Sequence, residues 1–141
     1  MHNWLVWAFL SALFAALTAI LAKVGVADVN PNLATAIRTT VILVITWAVA
    51  FCTSGKTDWS ALTPRVWFFL AASGLMTGLS WLCYFRALKL GDVSKVAPVD
   101  KLSVAMAIVL AVIFLGEKVK VQEAIGAGLI VLGVLVMVVK I

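Results

Sequence analysis

Apolar residues occupy this chain in five long blocks, each interrupted only by small or occasional charged residues and closed by a short polar cluster. A helix rising 1.5 Å per residue needs about 20 such residues to cross the hydrocarbon core of a bilayer. The blocks therefore predict five spans, over residues 4–26, 33–52, 66–88, 93–115 and 121–139. Lys23, Asp28 and the turn Asn30-Pro31-Asn32 close the first. Thr53-Ser54-Gly55-Lys56 closes the second, and the third starts after Pro64-Arg65 with Gly91-Asp92 behind it. The fourth is interrupted by Pro98 and by Asp100-Lys101 and ends at Gly116-Glu117-Lys118. Only the Thr53–Arg65 connection is more than a few residues long, so no soluble domain fits between spans. The blocks are apolar nearly all round, as lipid-facing or buried helices are, and the roughly ten-residue alternation of a transmembrane β-barrel is absent.

Composition agrees with that pattern. Of 141 residues 65% are hydrophobic and 12% charged, with a mean hydropathy of +1.17. A soluble domain is about half apolar and a quarter charged, and a water-soluble fold of this size could not hide so much apolar surface. The net charge of +5 would point to nucleic acid in a soluble protein. Here the cations are spread beside apolar runs, where they read as headgroup anchors, and no nucleic-acid partner is expected. The expected class is an all-α membrane protein, a bundle of five transmembrane helices in the cell inner membrane, in contact with membrane lipid.

Individual residue types refine this picture. The N-terminal Met1-His2-Asn3-Trp4 has no basic region and enters an apolar stretch too long for a signal-peptide core, so the first span is expected to be retained. Trp4, Trp7, Trp59 and Trp67 sit near span ends as an aromatic belt does, whereas Trp47 and Trp81 lie deeper. Cys52 and Cys83 are expected to be buried as small hydrophobes, with neither a disulfide nor zinc. Small residues recur at packing spacing, as Ala8-Ala12-Ala16, Ser11-Ala15-Ala19, Gly74 with Gly78, and Ala124 with Gly128. They fit internal bundle packing or a dimer face. His2 is the one histidine. Without a triad, a paired-carboxylate arrangement or a phosphate loop, neither catalysis, a metal nor a cofactor is expected.

Three motifs carry more information. They are Tyr84-Phe85-Arg86-Ala87-Leu88-Lys89-Leu90-Gly91-Asp92-Val93-Ser94-Lys95-Val96-Ala97-Pro98, Phe114-Leu115-Gly116-Glu117-Lys118, and the Gly126–Gly133 run GAGLIVLG. In order and spacing they resemble the EamA domain of the drug/metabolite transporter superfamily, and the likeness extends more weakly over the first two spans. The resemblance implies export or exchange of small metabolites. It also implies half of a transporter, because most members resemble two such domains fused as an inverted repeat of ten helices. The superfamily also contains paired lipid-carrier flippase subunits, and a non-transporting assembly or scaffold subunit is the alternative outside transport. The related small multidrug exporters rely on a glutamate in the first helix. This first span has no acidic residue before Asp28, so their proton-drug antiport is not carried over.

Charge inside a span is costly and marks candidate function. Arg38, about five residues into the second span, and Asp100-Lys101, similarly placed in the fourth, lie on the order of 8–12 Å past their span starts, on the same membrane side. Consecutive helical residues point about 100° apart, so Asp100 and Lys101 are not expected to pair with each other. Arg38 is then the candidate partner for Asp100. Pro98 leaves the Ser94 carbonyl without its helical donor and can kink the span just before the charged residues, as in transporters that use broken helices to expose backbone to substrate. Trp81 and Tyr84, three residues apart on one face, would supply an aromatic wall. The expected solute pathway therefore comprises Arg38, Trp81, Tyr84, Pro98, Asp100 and Lys101. Against this stands a structural reading, in which Arg38 and Lys101 snorkel to headgroups and Asp100 makes a structural pair. Arg86, Lys89 and Lys95 read as topogenic or headgroup-binding, and Glu117 as a cap for the last helix.

Five spans put the two ends on opposite membrane sides. Outside the apolar interiors, one side carries Lys56, Arg65, Lys118 and Lys120, and the other Lys23, Arg86, Lys89, Lys95 and Lys140. That balance gives no usable positive-inside bias. Adding Arg38 and Lys101 would put the C-terminus in the cytoplasm, contrary to the N-inside arrangement that the resemblance implies. Dual insertion with antiparallel homodimers is the resulting expectation, with parallel homodimers or a similar small membrane subunit as the alternatives.

Overall fold

In the computed structural model, residues 3–55 and 59–139 are described. His2, Lys56 and Lys140, to which terminal or anchoring roles were given above, lie outside them. Every regular element among the described residues is helical: α1 (Asn3–Val26), α2 (Pro31–Thr53), α3 (Pro64–Leu90), α4 (Val93–Asp100), α5 (Leu102–Leu110), a π-helical turn (Ala111–Leu115) and α6 (Val121–Val138). Five stretches are long and apolar enough to cross a membrane, with α4, α5 and the π turn together forming one of them. No more than 6% of the apolar window of any of the five is buried against the rest of the chain. In water that exposure would be ruinous; in a bilayer it is the lipid-facing or partner-facing surface of an all-α membrane protein.

Pro31, placed above in a turn, and Pro64, placed in the longer connection, instead open helices. Pro31 occupies the first position of α2, where its missing N–H costs nothing, and the Asn30 side chain accepts from the Asn32 N–H at 2.8 Å. Pro64 opens α3 behind Thr63, whose hydroxyl accepts from the Val66 N–H at 3.4 Å. The helices are accordingly longer than the apolar blocks, and α3 runs on to Leu90.

The chain divides into two compact units, residues 1–90 and 91–141. In the first, α3 is the shared partner, since α1 and α2 each pack against it more extensively than against one another. The buried residues of this unit gather where the C-terminal halves of α1 and α3 meet the start of α2. They are Ala19, Ala22 and Val26 of α1, Thr35 of α2, and Phe85 and Leu88 of α3. Ala19, Ala22 and Val26 follow helical spacing, so one stripe of α1 faces inward there. Thr35, the buried polar residue, is satisfied by donating to the Pro31 carbonyl at 2.8 Å.

In the second unit α6 packs against both α4 and α5. The fourth span is broken at Lys101, where hydrogen bonding tightens to the i→i−3 pattern on both sides. The Lys101 N–H reaches the Pro98 carbonyl and the Val104 N–H the Lys101 carbonyl, each at 3.0 Å. The π turn at the far end of this span has no counterpart in the sequence reading. It closes on Gly116, whose φ of +66° suits a residue without Cβ, and the Gly116 and Glu117 N–H groups both reach the Ala111 carbonyl.

Two packing expectations need correction. Cys52 and Cys83 are exposed, not buried, because an all-round apolar helix gives a thiol no reason to face inward. The Gly74/Gly78 pair is not used for close approach among the described residues of its unit, since a Cβ at either glycine would meet nothing within 4 Å, and the same holds at Gly128 in the other unit. Ala8, Ala12 and Ala16 are exposed as well, whereas Ala19, at the end of the neighbouring ridge, is buried.

Candidate functional site

The sparse packing of α1 on α2 leaves a cavity of about 370 Å³ in the first unit, open on one side and floored by the buried Phe85 of α3. Its walls include Thr18, Leu21 and Gly25 from α1 and Ala34, Ile37 and Arg38 from α2. Most of this surface is apolar, and among the described lining residues Arg38 supplies the charged side chain. Seven residues from the start of α2, Arg38 stands about 10 Å along the helix axis, inside the span.

Two aromatic rings hold that guanidinium. Its central carbon lies 4.7 Å from the centroid of Trp81 and 5.3 Å from that of Phe85, four residues apart on α3 and so on one face. Guanidinium-on-ring contacts are worth about 0.5–1 kcal/mol when exposed and about 2 or more when desolvated. Among the described residues of this unit no carboxylate pairs with Arg38. Tyr84 lies edge-on to Phe85, with ring centroids 6.4 Å apart. The rings over the Arg38 guanidinium are thus Trp81 and Phe85, and Tyr84 on the same helix interacts with it electrostatically. The i,i+4 offset of Trp81 and Phe85 was readable, but which pair of rings would meet a residue of another helix was not.

Asp100 and Lys101 do pair with each other, contrary to expectation. The Lys101 Nζ lies 3.2 Å from the Asp100 Oδ2. The objection that consecutive residues diverge applies to a continuous helix, and here the helix ends at Asp100 and restarts at Leu102. The break and the long lysine stem together let the ammonium fold back. The Lys101 and Asp100 side chains remain 56% and 35% exposed, so the pair is not buried against the rest of its unit. Asp92 and Lys95 form a second exposed pair at 3.5 Å, one helical turn apart.

Three further polar residues behave differently from their first reading. Lys23 donates to the Leu88 carbonyl at 2.7 Å, and Lys89 to the Val29 carbonyl at 2.8 Å. Both ammonium groups thereby satisfy backbone oxygens at the tightly packed end of the first unit, which goes beyond anchoring to headgroups. The carboxylate that caps the last helix is Glu123, not Glu117, and it accepts from the Lys120 N–H at 2.8 Å. Glu123 stands three residues inside the helix, where it can reach back to the first free N–H groups. At the other end of α2, Trp47, Phe51 and Trp59 stack at centroid distances of 5.3 to 6.1 Å, so Trp47 joins the aromatic cluster near the span end.

No solved structure matches the chain. Residues 2–139 match the EamA-like transporter family. A Sinorhizobium protein described as an uncharacterized transporter in the cobO 3' region is 52% identical over 136 residues, which cover 96% of both chains. The uncharacterized transporter YxxF of Bacillus subtilis is 28% identical over 134 residues, 94% of this chain but 42% of that relative. With five membrane-crossing helices and a family match along nearly its whole length, the chain belongs to the EamA-like transporter family and is a multi-pass membrane protein.

Proposed function

We propose that the protein moves small metabolites across the cell inner membrane, as an exporter or exchanger, and that it does so as a dimer. The observation that carries the reading is charge held inside apolar spans: Arg38 on its two rings in the first unit, and Asp100-Lys101 at a helix break in the second. Charges at such positions are costly unless solute or water visits them, and a broken span frees backbone groups for the same purpose. The pathway residues of this proposal are Arg38, Trp81 and Tyr84 in residues 1–90, and Pro98, Asp100 and Lys101 in residues 91–141. The Sinorhizobium relative is matched over 96% of its length, whereas the match covers 42% of the Bacillus relative. A relative of single-domain length beside one more than twice as long supports a dimer in which two copies restore a complete pathway. The unused small-residue face at Gly74 and Gly78 and the lipid-accessible apolar windows leave room for such a contact.

Substrate-dependent flux by purified protein in proteoliposomes tests this reading. A metabolite set is screened first by thermal shift, since a ligand of the folded state raises its apparent stability. Flux that is saturable and absent from empty vesicles is the expected result. Folded, ligand-responsive protein without flux would reassign it to a non-transporting membrane assembly. Flux of a lipid-linked carrier only when a second small subunit is added would reassign it to a paired flippase.

A further inference from the structure

We infer that the cavity between α1 and α2 binds an organic anion, with its acid group on Arg38 and its apolar body against Leu21, Ile37 and Phe85. The inference deepens the transport reading and rests on it for biological purpose. It draws on charge, shape and surroundings. The volume of about 370 Å³ falls in the range of small-molecule pockets, roughly 300–1,000 Å³. The lining is mostly apolar, with Thr18 as a polar wall residue and Arg38 as its cation, so the cavity fits an amphiphile better than a sugar or a cation.

Arg38 is already positioned beside Trp81 and Phe85, whose contact restrains its rotamers. A carboxylate or phosphate can therefore take a bidentate bond at little ordering cost. A neutral isostere would leave a charge in an apolar site uncompensated, and an ammonium ligand would be repelled. Gly25, on the cavity wall, has open space where a Cβ would stand, so the volume can be filled by mutation without a backbone clash. An acid group on an apolar body is the chemistry of a small carboxylic acid and also of an anionic lipid.

Equilibrium dialysis with purified protein in maltoside micelles separates these sources. Radiolabelled phenylacetate is compared with phenylacetamide, and dioctanoyl phosphatidylglycerol with dioctanoyl phosphatidylcholine. For a soluble acid, phenylacetate binds at least tenfold tighter than the amide, Arg38→Gln removes the preference, and Arg38→Lys keeps part of it. Gly25→Leu weakens phenylacetate several-fold while the melting temperature is held or raised. For a lipid, acid and amide bind alike, but phosphatidylglycerol is preferred over phosphatidylcholine in a manner lost in Arg38→Gln. Equal binding within both pairs by the unmodified protein, which needs no variant to fold, overturns the proposal. A preference that survives Arg38→Gln in a folded variant overturns it too. Binding is read here without flux, so a protein that binds the acid but moves nothing would sink the transport reading and leave this one standing.

Discussion

Lys23 and Lys89 cross-tie the ends of α1 and α3, each donating to a carbonyl contributed by the other segment. The last carbonyls of a helix have no intrahelical donor, and the macrodipole favours a cation beside them. Removing the donor leaves an orphaned oxygen where Phe85, Leu88 and Val26 have excluded other partners. Hydrogen bonds to charged groups contribute about 1.5–3 kcal/mol, so Lys23→Met should destabilise the protein by about 1–3 kcal/mol in denaturant titrations from mixed micelles. Lys118→Met, an exposed position outside this tie, should stay within about 0.5 kcal/mol. Equal effects of the two would mean that the tie adds nothing. Asp100 presents the opposite case. Its partner is the neighbouring, half-exposed Lys101, so Asp100→Asn should change the melting temperature little but abolish flux if the carboxylate serves the solute pathway. A stable variant with normal flux would remove Asp100 from that pathway and leave Lys101 as the better candidate.

Helices in this protein are shaped more by their interruptions than by their propensities. Pro31 and Pro64 start α2 and α3, Gly116 ends the fourth span, and Pro98 with Lys101 divides that span. A proline inside a helix costs about 3 kcal/mol through a lost bond and a ring clash, so retaining one in a span argues for use. Pro98→Ala should hold or raise thermal stability while reducing flux, because a continuous helix would cover the backbone groups that the break frees. Unchanged flux with raised stability would make the break incidental. The face of α3 at Gly74 allows a cleaner separation. With nothing within 4 Å of a Cβ, Gly74→Ala should stabilise the helix by up to about 1 kcal/mol. Gly74→Leu should leave the fold intact but dissociate the dimer in size-exclusion with light scattering, if α3 packs against a second copy. A dimer unaffected by the leucine places the contact elsewhere.

At the scale of the whole molecule, five crossings would put the outer ends of α1 and α6 on opposite sides of the membrane. The near-equal lysine and arginine counts of the two sides, four against five by residue number, provide little to orient insertion. C-terminal reporter fusions, one active only in the cytoplasm and one only outside it, should therefore both give signal. Labelling on a single side would exclude antiparallel pairs and favour parallel homodimers or a second subunit. Adding two lysines to the short connection before α6 should then bias the population to one side. If dual insertion is required for the dimer, flux should fall with it.

Membrane class, span number and the presence of an interruption in the fourth span were legible because each is a local sum, apolar transfer energy over about 20 residues or one missing N–H, but the helix runs through Pro98 and breaks at Lys101, inside the charged pair and not before it. The motifs around Ala97-Pro98, Leu115-Gly116-Glu117 and Gly126–Gly133 carried the family for the same reason, since each lies within a single stretch of chain. What the tertiary structure alone decided are the partnerships between helices: Arg38 with Trp81 and Phe85, Lys23 with the Leu88 carbonyl, Lys89 with the Val29 carbonyl, and the cavity between α1 and α2. These depend on how each helix is rotated about its own axis. In a soluble protein an amphipathic stripe encodes that rotation. Helices that are apolar on every side carry no such stripe, so the rotation is set by packing, and with it the side chains that meet.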